Sequence, residues 1–335
     1  MRRINEAHTF FTSFTNTKAR KFVQEILKKN YAEAIMVHHP EAHLLEKEDV
    51  TDKCQYLVDS VFQRIEEIQA SPEELFPLFA QLSRNKQPRD KIWFDEFLQA
   101  YQFYKHQRKL NRRYEKIKNY LHGSSYCDIG CGGGDFVAFL KHYHQPFQQV
   151  AGIDVMDWRT EAVKEEIGFQ MLDFSQPDTF SKVKYDTMSC LAVLHHVGNT
   201  DEAQGIFLQN IRKSLSEGGR LIIEEDVILP EDELLRHQEY QEQIQQLKEY
   251  QINLSDFLQF DYATQKDCII LIDFLANALA VGVPEMAFPC GFRSIEAWTD
   301  ILENNGFSIS KVKIAGFVPG NFNQSSHVYF VLNKK

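Results

Sequence analysis

No run of apolar residues in the 335-residue chain is long enough to cross a membrane. The longest, Cys268 to Val283, is interrupted by Asp273 and Asn277 and falls short of the ~20 residues a spanning helix needs. The opening segment, MRRINEAHTFFTSF, is basic yet has no apolar stretch of signal-peptide length. Cysteine is sparse: Cys54, Cys127, Cys131, Cys190, Cys268 and Cys290 are scattered without the paired spacing of a metal site. This argues against a disulfide framework and against a metal centre, so the expectation is a soluble, cytoplasmic protein with no membrane partner and no metal. An excess of basic charge is missing too. The balance of 37 Lys and Arg against 47 Asp and Glu leaves a net charge of −10, which argues against a general coating of nucleic acid but not against a local basic groove.

What the chain does have is material for a core: 43% apolar residues and 13% aromatics, including 26 Phe. No glycine precedes Gly123, and the N-terminal part reads as helical. Ala19, Phe22, Val23, Ile26 and Leu27 share one helical face, as do Leu110, Tyr114, Ile117 and Leu121. After Gly123 short apolar runs alternate with helical stretches: SYCDIG, 135–144, QVAGID, 158–167, FQMLDF, YDTMSCLAVL, 200–215 and GGRLIIEE. Strands alternating with helices predict βαβ units and a parallel sheet. A helix over 294–305, with Ile295, Trp298, Ile301 and Leu302 on one face, precedes two closing strands near 307–314 and 326–333. The segment from about 230 to 290 breaks this rhythm and reads as a helical insertion after the fifth strand.

The most informative stretch is YCDIGCGGGDF, Tyr126 to Phe136, where an apolar strand runs into four glycines and then a helix. Glycines are needed where backbone turns tightly or touches a ligand, and a loop at this edge of a doubly wound sheet is a nucleotide site. The dinucleotide fingerprint G-x-G-x-x-G fails, because from Gly130 and Gly132 its third glycine falls on Asp135, where a pyrophosphate would meet a carboxylate. That disfavours a nicotinamide-dependent oxidoreductase. The Walker pattern fails because no Gly-Lys-Ser/Thr follows.

Asp128, Gly130, Gly132 and Gly134, spaced as D-x-G-x-G-x-G, resemble motif I of the class I S-adenosylmethionine-dependent methyltransferases, of the type 11, 12 and 25 kind. Further features at matching intervals are Asp154 closing VAGID, Asp173 in MLDF, the run from Tyr185 to Val197 with its LHH exit, Ser216 to Arg220, and Phe292-Arg293-Ser294. The resemblance covers about 120 to 335. It implies an α/β fold: a Rossmann-like, seven-stranded, mostly parallel sheet with helices on both faces, a helical N-terminal extension (1–100) and a methyltransferase domain (101–335) whose insertion at 230–290 forms a helical lid. It also implies S-adenosyl-L-methionine as cofactor, held by Asp128, Gly130, Cys131, Gly132 and Gly134, with Asp154 on the ribose hydroxyls beside Val155. Asp173 would meet the adenine amino group, Leu172 or Phe174 would line the ring, and Cys190 and Leu191 would pass the methionine moiety. Position 133 is Gly where the family commonly has Thr or Ser, so one hydroxyl contact is not expected.

Methyl transfer is an in-line displacement, so the enzyme chiefly brings nucleophile and methyl into line, with a base nearby where the acceptor carries a proton. Candidates stand at the ends of strands four and five: His196, with His195 read as packing, and Glu225 and Asp226. Strand alternation puts Glu224 and Asp226 on one side and Glu225 on the other. Residues 101–120 carry seven basic side chains and one Glu, with aromatics interleaved, which keeps RNA (cap, tRNA or rRNA) open as a substrate. Against this, 224–249 holds nine acidic and two basic residues. A small-molecule acceptor is therefore the leading expectation. RNA, and a catalytically silent S-adenosylmethionine-binding module, are the alternatives.

Overall fold

The computed structural model describes residues 16–26, scattered helical positions between 46 and 63, residues 110–229 apart from 145 and 199, isolated positions from 236 to 243, and 256–275, 290–317 and 325–335. The chain divides into two compact units, one of residues 1–108, 244–290 and 318–324, the other of 109–243, 291–317 and 325–335.

In the second unit seven strands form one sheet: β1 (Ser125–Ile129), β2 (Gln149–Asp154), β3 (Gly168–Met171), β4 (Tyr185–Leu191), β5 (Leu215–Val227), β6 (Phe307–Phe317) and β7 (Ser326–Lys334). Their order is β3-β2-β1-β4-β5-β7-β6. The first five run parallel, and β7 enters antiparallel between β5 and β6. This is the Rossmann-like, mostly parallel sheet expected above. β1 lies between β2 and β4, so the chain order reverses on either side of it, and the crevice at its C-terminal end is where such sheets bind ligands. All five residues of β1 are buried, as a central parallel strand requires.

Helices fill the connections as the spacing predicts: Asp135–Tyr143, Glu161–Glu166, Asp201–Ser214 and Ile295–Asn304. Thr160, Thr200 and Ser294 cap the last three by accepting from Val163, Ala203 and Ala297 N–H, respectively. Ile295, Trp298, Ile301 and Leu302 are the buried face of the last helix. Residues 110–117 form a further helix, whose Ile117 joins Leu121, Tyr126, Phe136 and Val137 in one core cluster. Two boundaries differ from the sequence reading. β3 stops at Met171, before Leu172-Asp173, because the Asp173 carboxylate accepts from Ser175 N–H at 2.9 Å and turns the chain. β4 stops at Leu191 because Ala192 takes a left-handed conformation (φ 60°), and Leu194–Val197 is a 3-10 turn.

In the first unit the helix over 17–26 buries Ala19, Val23 and Ile26. Asn16 donates to Asp267 at 2.9 Å, and Phe22 stacks on Phe257 with ring centroids 5.9 Å apart, so the start of the chain is tied to the segment after β5. That segment is helical over Tyr262–Leu275 and buries Cys268 to Ile272. Asp273 accepts from the buried Cys290 thiol at 3.0 Å. Asn277, the rest of the apolar run to Val283, most of the extension 1–100 and the basic residues of 101–109 lie outside the described residues. Among the described residues no helix is long and apolar enough to cross a membrane.

Candidate active site

The glycine loop follows directly from β1. Gly130 and Cys131 N–H both donate to the Ile153 carbonyl of β2, at 2.7 and 3.2 Å, so the loop is pinned to the neighbouring strand as it turns. Gly130, Gly132 and Gly134 have φ of 67°, 53° and 75°, a region L-residues with side chains rarely adopt. Their surroundings differ. A Cβ on Gly130 would lie 2.5 Å from the Val193 side chain, whereas a Cβ on Gly132 would meet nothing within 4 Å. The crest of the loop therefore opens on empty space while its base is packed.

Asp154, the last residue of β2, reaches this crest. Its Oδ2 accepts from Gly132 N–H at 2.8 Å, and its Oδ1 accepts from Val155 N–H at 2.7 Å. Beyond it Val155, Met156 and Trp158 are exposed, as is Met171 at the end of neighbouring β3. Leu172 N–H donates to the Asp154 carbonyl at 3.0 Å. Cys131 sits against Gly152, where a Cβ would lie 2.4 Å from its sulfur.

Asp128 points from β1 into a buried hydrogen-bond chain: Ser189 of β4 donates to its Oδ1, and the Ser189 and Tyr126 hydroxyls bond one another. Burial, aided by the nearby Asp154 and Glu224 charges, pushes the Asp128 carboxyl up to about 7 against the pull of Ser189 and Arg113. Cys190 and Leu191, next along β4, are buried. The site thus gathers Asp128, the glycine loop, Asp154, Val155, Cys190 and Leu191 at the C-terminal ends of β1, β2 and β4.

Two expected contributors are engaged elsewhere. Phe174 is 1% exposed and packs edge-on against Phe207, so its ring is core. Asp173 accepts from the Ser175 N–H and hydroxyl and from the Gln176 side chain, which is the turn-capping role its neighbours allow.

The acidic end of β5 alternates as strand geometry demands. Glu225, fully buried, faces the 3-10 turn: its carboxylate accepts from Leu194 N–H at 2.8 Å and contacts His195 Nδ1 at 2.5 Å. Burial raises the Glu225 carboxyl despite the His195 charge. The His195 ring stacks on Phe292, 4.6 Å between centroids, and lies 4.0 Å from that of His196, which is half-buried. Asp226 accepts from Ser325 at 2.9 Å and lies 3.2 Å from His327 Nδ1. Burial works against its charge, yet His327, His195 and Ser325 hold its carboxyl below the ordinary value. On the same side Glu224 binds Arg113 and Tyr329.

Ser189, Tyr329 and His327 have no part in the expectations from sequence, and Arg113 enters them only as one of the seven basic residues of 101–120. For Arg113 a signal existed: with Leu110, Tyr114 and Ile117 it completes an i, i+3, i+4, i+7 set, which places a charge on the apolar face. The others become partners only through strand pairing, Tyr329 standing opposite Glu224 and His327 opposite Asp226.

A family model described as a methyltransferase domain matches residues 98–312. The chain belongs to this methyltransferase domain family. It is accordingly a class I S-adenosylmethionine-dependent methyltransferase, with S-adenosylmethionine as its cofactor. Among solved structures it is similar to the N-methyltransferase NodS from Bradyrhizobium japonicum WM9 in complex with S-adenosylhomocysteine. That match has 12% identity, covers 68% of this chain and 86% of that one, and has a TM-score of 0.40. Magnesium protoporphyrin IX methyltransferase from Synechocystis PCC 6803 is 16% identical over 69% and 84% of the two chains, TM-score 0.40. Human N-acetylserotonin methyltransferase with S-adenosylmethionine is 15% identical over 77% and 59%, TM-score 0.43. No curated protein sequence matches the chain.

Proposed function

We propose that this methyltransferase transfers the methyl group to a small-molecule acceptor, with the cofactor held at the C-terminal ends of β1, β2 and β4. The observation that carries the cofactor placement is the open crest at Gly132, bordered by the Asp154 carboxylate. S-adenosylmethionine, when bound, supplies a methyl group made electrophilic by positively charged sulfur. Asp154 accepts from ribose hydroxyls, since it stands at the strand end where an acidic residue can reach both. The buried Asp128 receives the ammonium of the methionine moiety, and the backbone at Cys190 and Leu191 borders that moiety. Exposed Val155 covers one face of the adenine.

The acceptor approaches the ends of β4 and β5. His196 takes the acceptor's proton where there is one, while the His195–Glu225 pair beneath it holds the turn in place. Glu225 acts through His195, while Asp226 is committed to His327 and Ser325; both carboxylates are buried. Beyond the buried Glu224, Glu225 and Asp226, the sequence from 231 to 249 carries six acidic and two basic residues, which favours a small molecule over RNA.

The test is to incubate the protein with methyl-labelled S-adenosylmethionine and a cell extract separated into small-molecule, RNA and protein fractions. Label should enter the small-molecule fraction, and His196→Ala should reduce it without changing cofactor affinity. Label in RNA alone would refute the acceptor class, and full activity in His196→Ala would make that residue a packing group.

A further inference from the structure

Arg113 carries a charge on a helix face built for burial. Its Nε donates to Glu224 Oε2 at 2.6 Å, and its guanidinium also donates to the Leu191 carbonyl at 3.1 Å. The other Glu224 oxygen accepts from Tyr329 at 2.8 Å, and the Glu224 backbone carbonyl accepts from Ala192 N–H at 2.8 Å. One guanidinium therefore grips the last residue of β4 and the strand beside it, next to the left-handed Ala192. Burial works against this charge, but Glu224, Tyr329 and Asp128 outweigh it and hold the guanidinium above its ordinary value. A Leu or Met would fill an apolar helix face without that desolvation cost, so packing alone does not call for an arginine.

The electrostatic surroundings of Asp128 give the charge a task. Ser189 of β4 donates to Asp128, while Asp154 of β2 and Glu224 of β5 repel it. The thiols of Cys127, Cys131 and Cys190 and the phenol of Tyr126 adjoin it and are kept neutral by burial. Arg113 is a positive charge that favours its ionised form.

We propose that Arg113 is a positioning residue for the cofactor: it fixes the exit of β4 through Leu191 and Glu224, two residues on from the Ser189 that donates to Asp128, and so sets the surroundings of the carboxylate that receives an ammonium. The inference rests on the reading of Asp128 as the ammonium's partner. It predicts that cofactor affinity follows the ionisation of Asp128 and that Arg113 sets where on the pH scale this happens.

The experiment is titration calorimetry with S-adenosylhomocysteine between pH 6 and 8.5, on the full chain and on Arg113→Met, Arg113→Lys and Glu224→Gln, each checked for folding by circular dichroism. The parent should bind more tightly as the pH rises. Arg113→Met should bind about fivefold more weakly at pH 7 and recover towards the parent at pH 8.5, because its midpoint moves up by about one unit. Arg113→Lys keeps the charge but loses the planar fork, so it should keep the parent midpoint at a uniformly lower affinity. Glu224→Gln removes a repelling carboxylate and should move the midpoint down. A folded Arg113→Met with parent affinity and midpoint overturns the proposal. So do equal losses in both Arg113 variants at every pH, which would make Arg113 a structural anchor only. Should Arg113→Met not fold, an unmoved midpoint in Glu224→Gln is enough to overturn it. A parent chain that binds neither S-adenosylhomocysteine nor S-adenosylmethionine instead refutes the cofactor placement, and the inference falls with it for that separate reason.

Discussion

At the scale of single residues, the two carboxylates proposed for the cofactor site differ in environment. Asp154 is half-buried at a strand end and bonds backbone N–H groups that a ligand hydroxyl can displace. Asp128 is buried near the end of β1, where Ser189 donates to it. Replacing Asp154 by Ala should weaken S-adenosylmethionine binding by ~1–3 kcal/mol, the range for leaving a polar partner unmet, measured by titration calorimetry. Unchanged affinity would take Asp154 out of the site. The resemblance of the D-x-G-x-G-x-G loop to motif I pointed to Asp128, and the end of the next strand of the βα unit pointed to Asp154. The resemblance offered Leu172 or Phe174 for the adenine ring; the Phe174 side chain faces the core, because β3 ends two residues before Asp173 and the turn that follows sets where Phe174 points.

At the scale of elements, the loop between β1 and the helix Asp135–Tyr143 separates a binding role from a folding role. Gly130 and Gly132 share a left-handed backbone, yet only Gly130 is closed in by a neighbour. Gly132→Ala should cost stability about the 1–2 kcal/mol of a left-handed alanine and place a methyl in the open crest, so cofactor affinity falls. Gly130→Ala adds overlap with Val193 to the same backbone cost and should lose clearly more stability, read by chemical denaturation. Equal stability losses with intact binding in Gly132→Ala would contradict the open crest. Strands and helices were readable from period and caps, since each βα unit signals its own start and stop. The Arg113–Glu224–Tyr329 set was not, because it joins a helix before β1 to strands more than 100 residues later, and only the β5–β7 pairing brings Tyr329 opposite Glu224.

At the scale of the whole molecule, the site is bought at the expense of stability. The Asp128 carboxyl is raised to about 7 in the fold, against an ordinary value of ~3.9 in an unfolded chain. The folded state therefore holds a proton that the unfolded state has lost between those values, and ligand-free stability falls as the pH rises through that window. Asp128→Asn has no such proton to lose. Without ligand it should match the parent near pH 5 more closely than at pH 8, where it should be the more stable by a few kcal/mol, while binding the cofactor less well. A thermal midpoint for Asp128→Asn that gains nothing on the parent between pH 5 and 8 would show that the carboxyl is not under this strain.

The central claim is that the crevice at β1, β2 and β4 takes S-adenosylmethionine. The direct measurement is a thermal-shift comparison of the ligand-free chain with S-adenosylmethionine, S-adenosylhomocysteine and NAD. Ligand at a hundred times its dissociation constant adds about 2.7 kcal/mol of apparent stability, which raises the midpoint by several degrees. A rise with the first two and none with NAD is the predicted result. No rise with either, in folded protein free of co-purified ligand, or a rise with NAD alone, would contradict it.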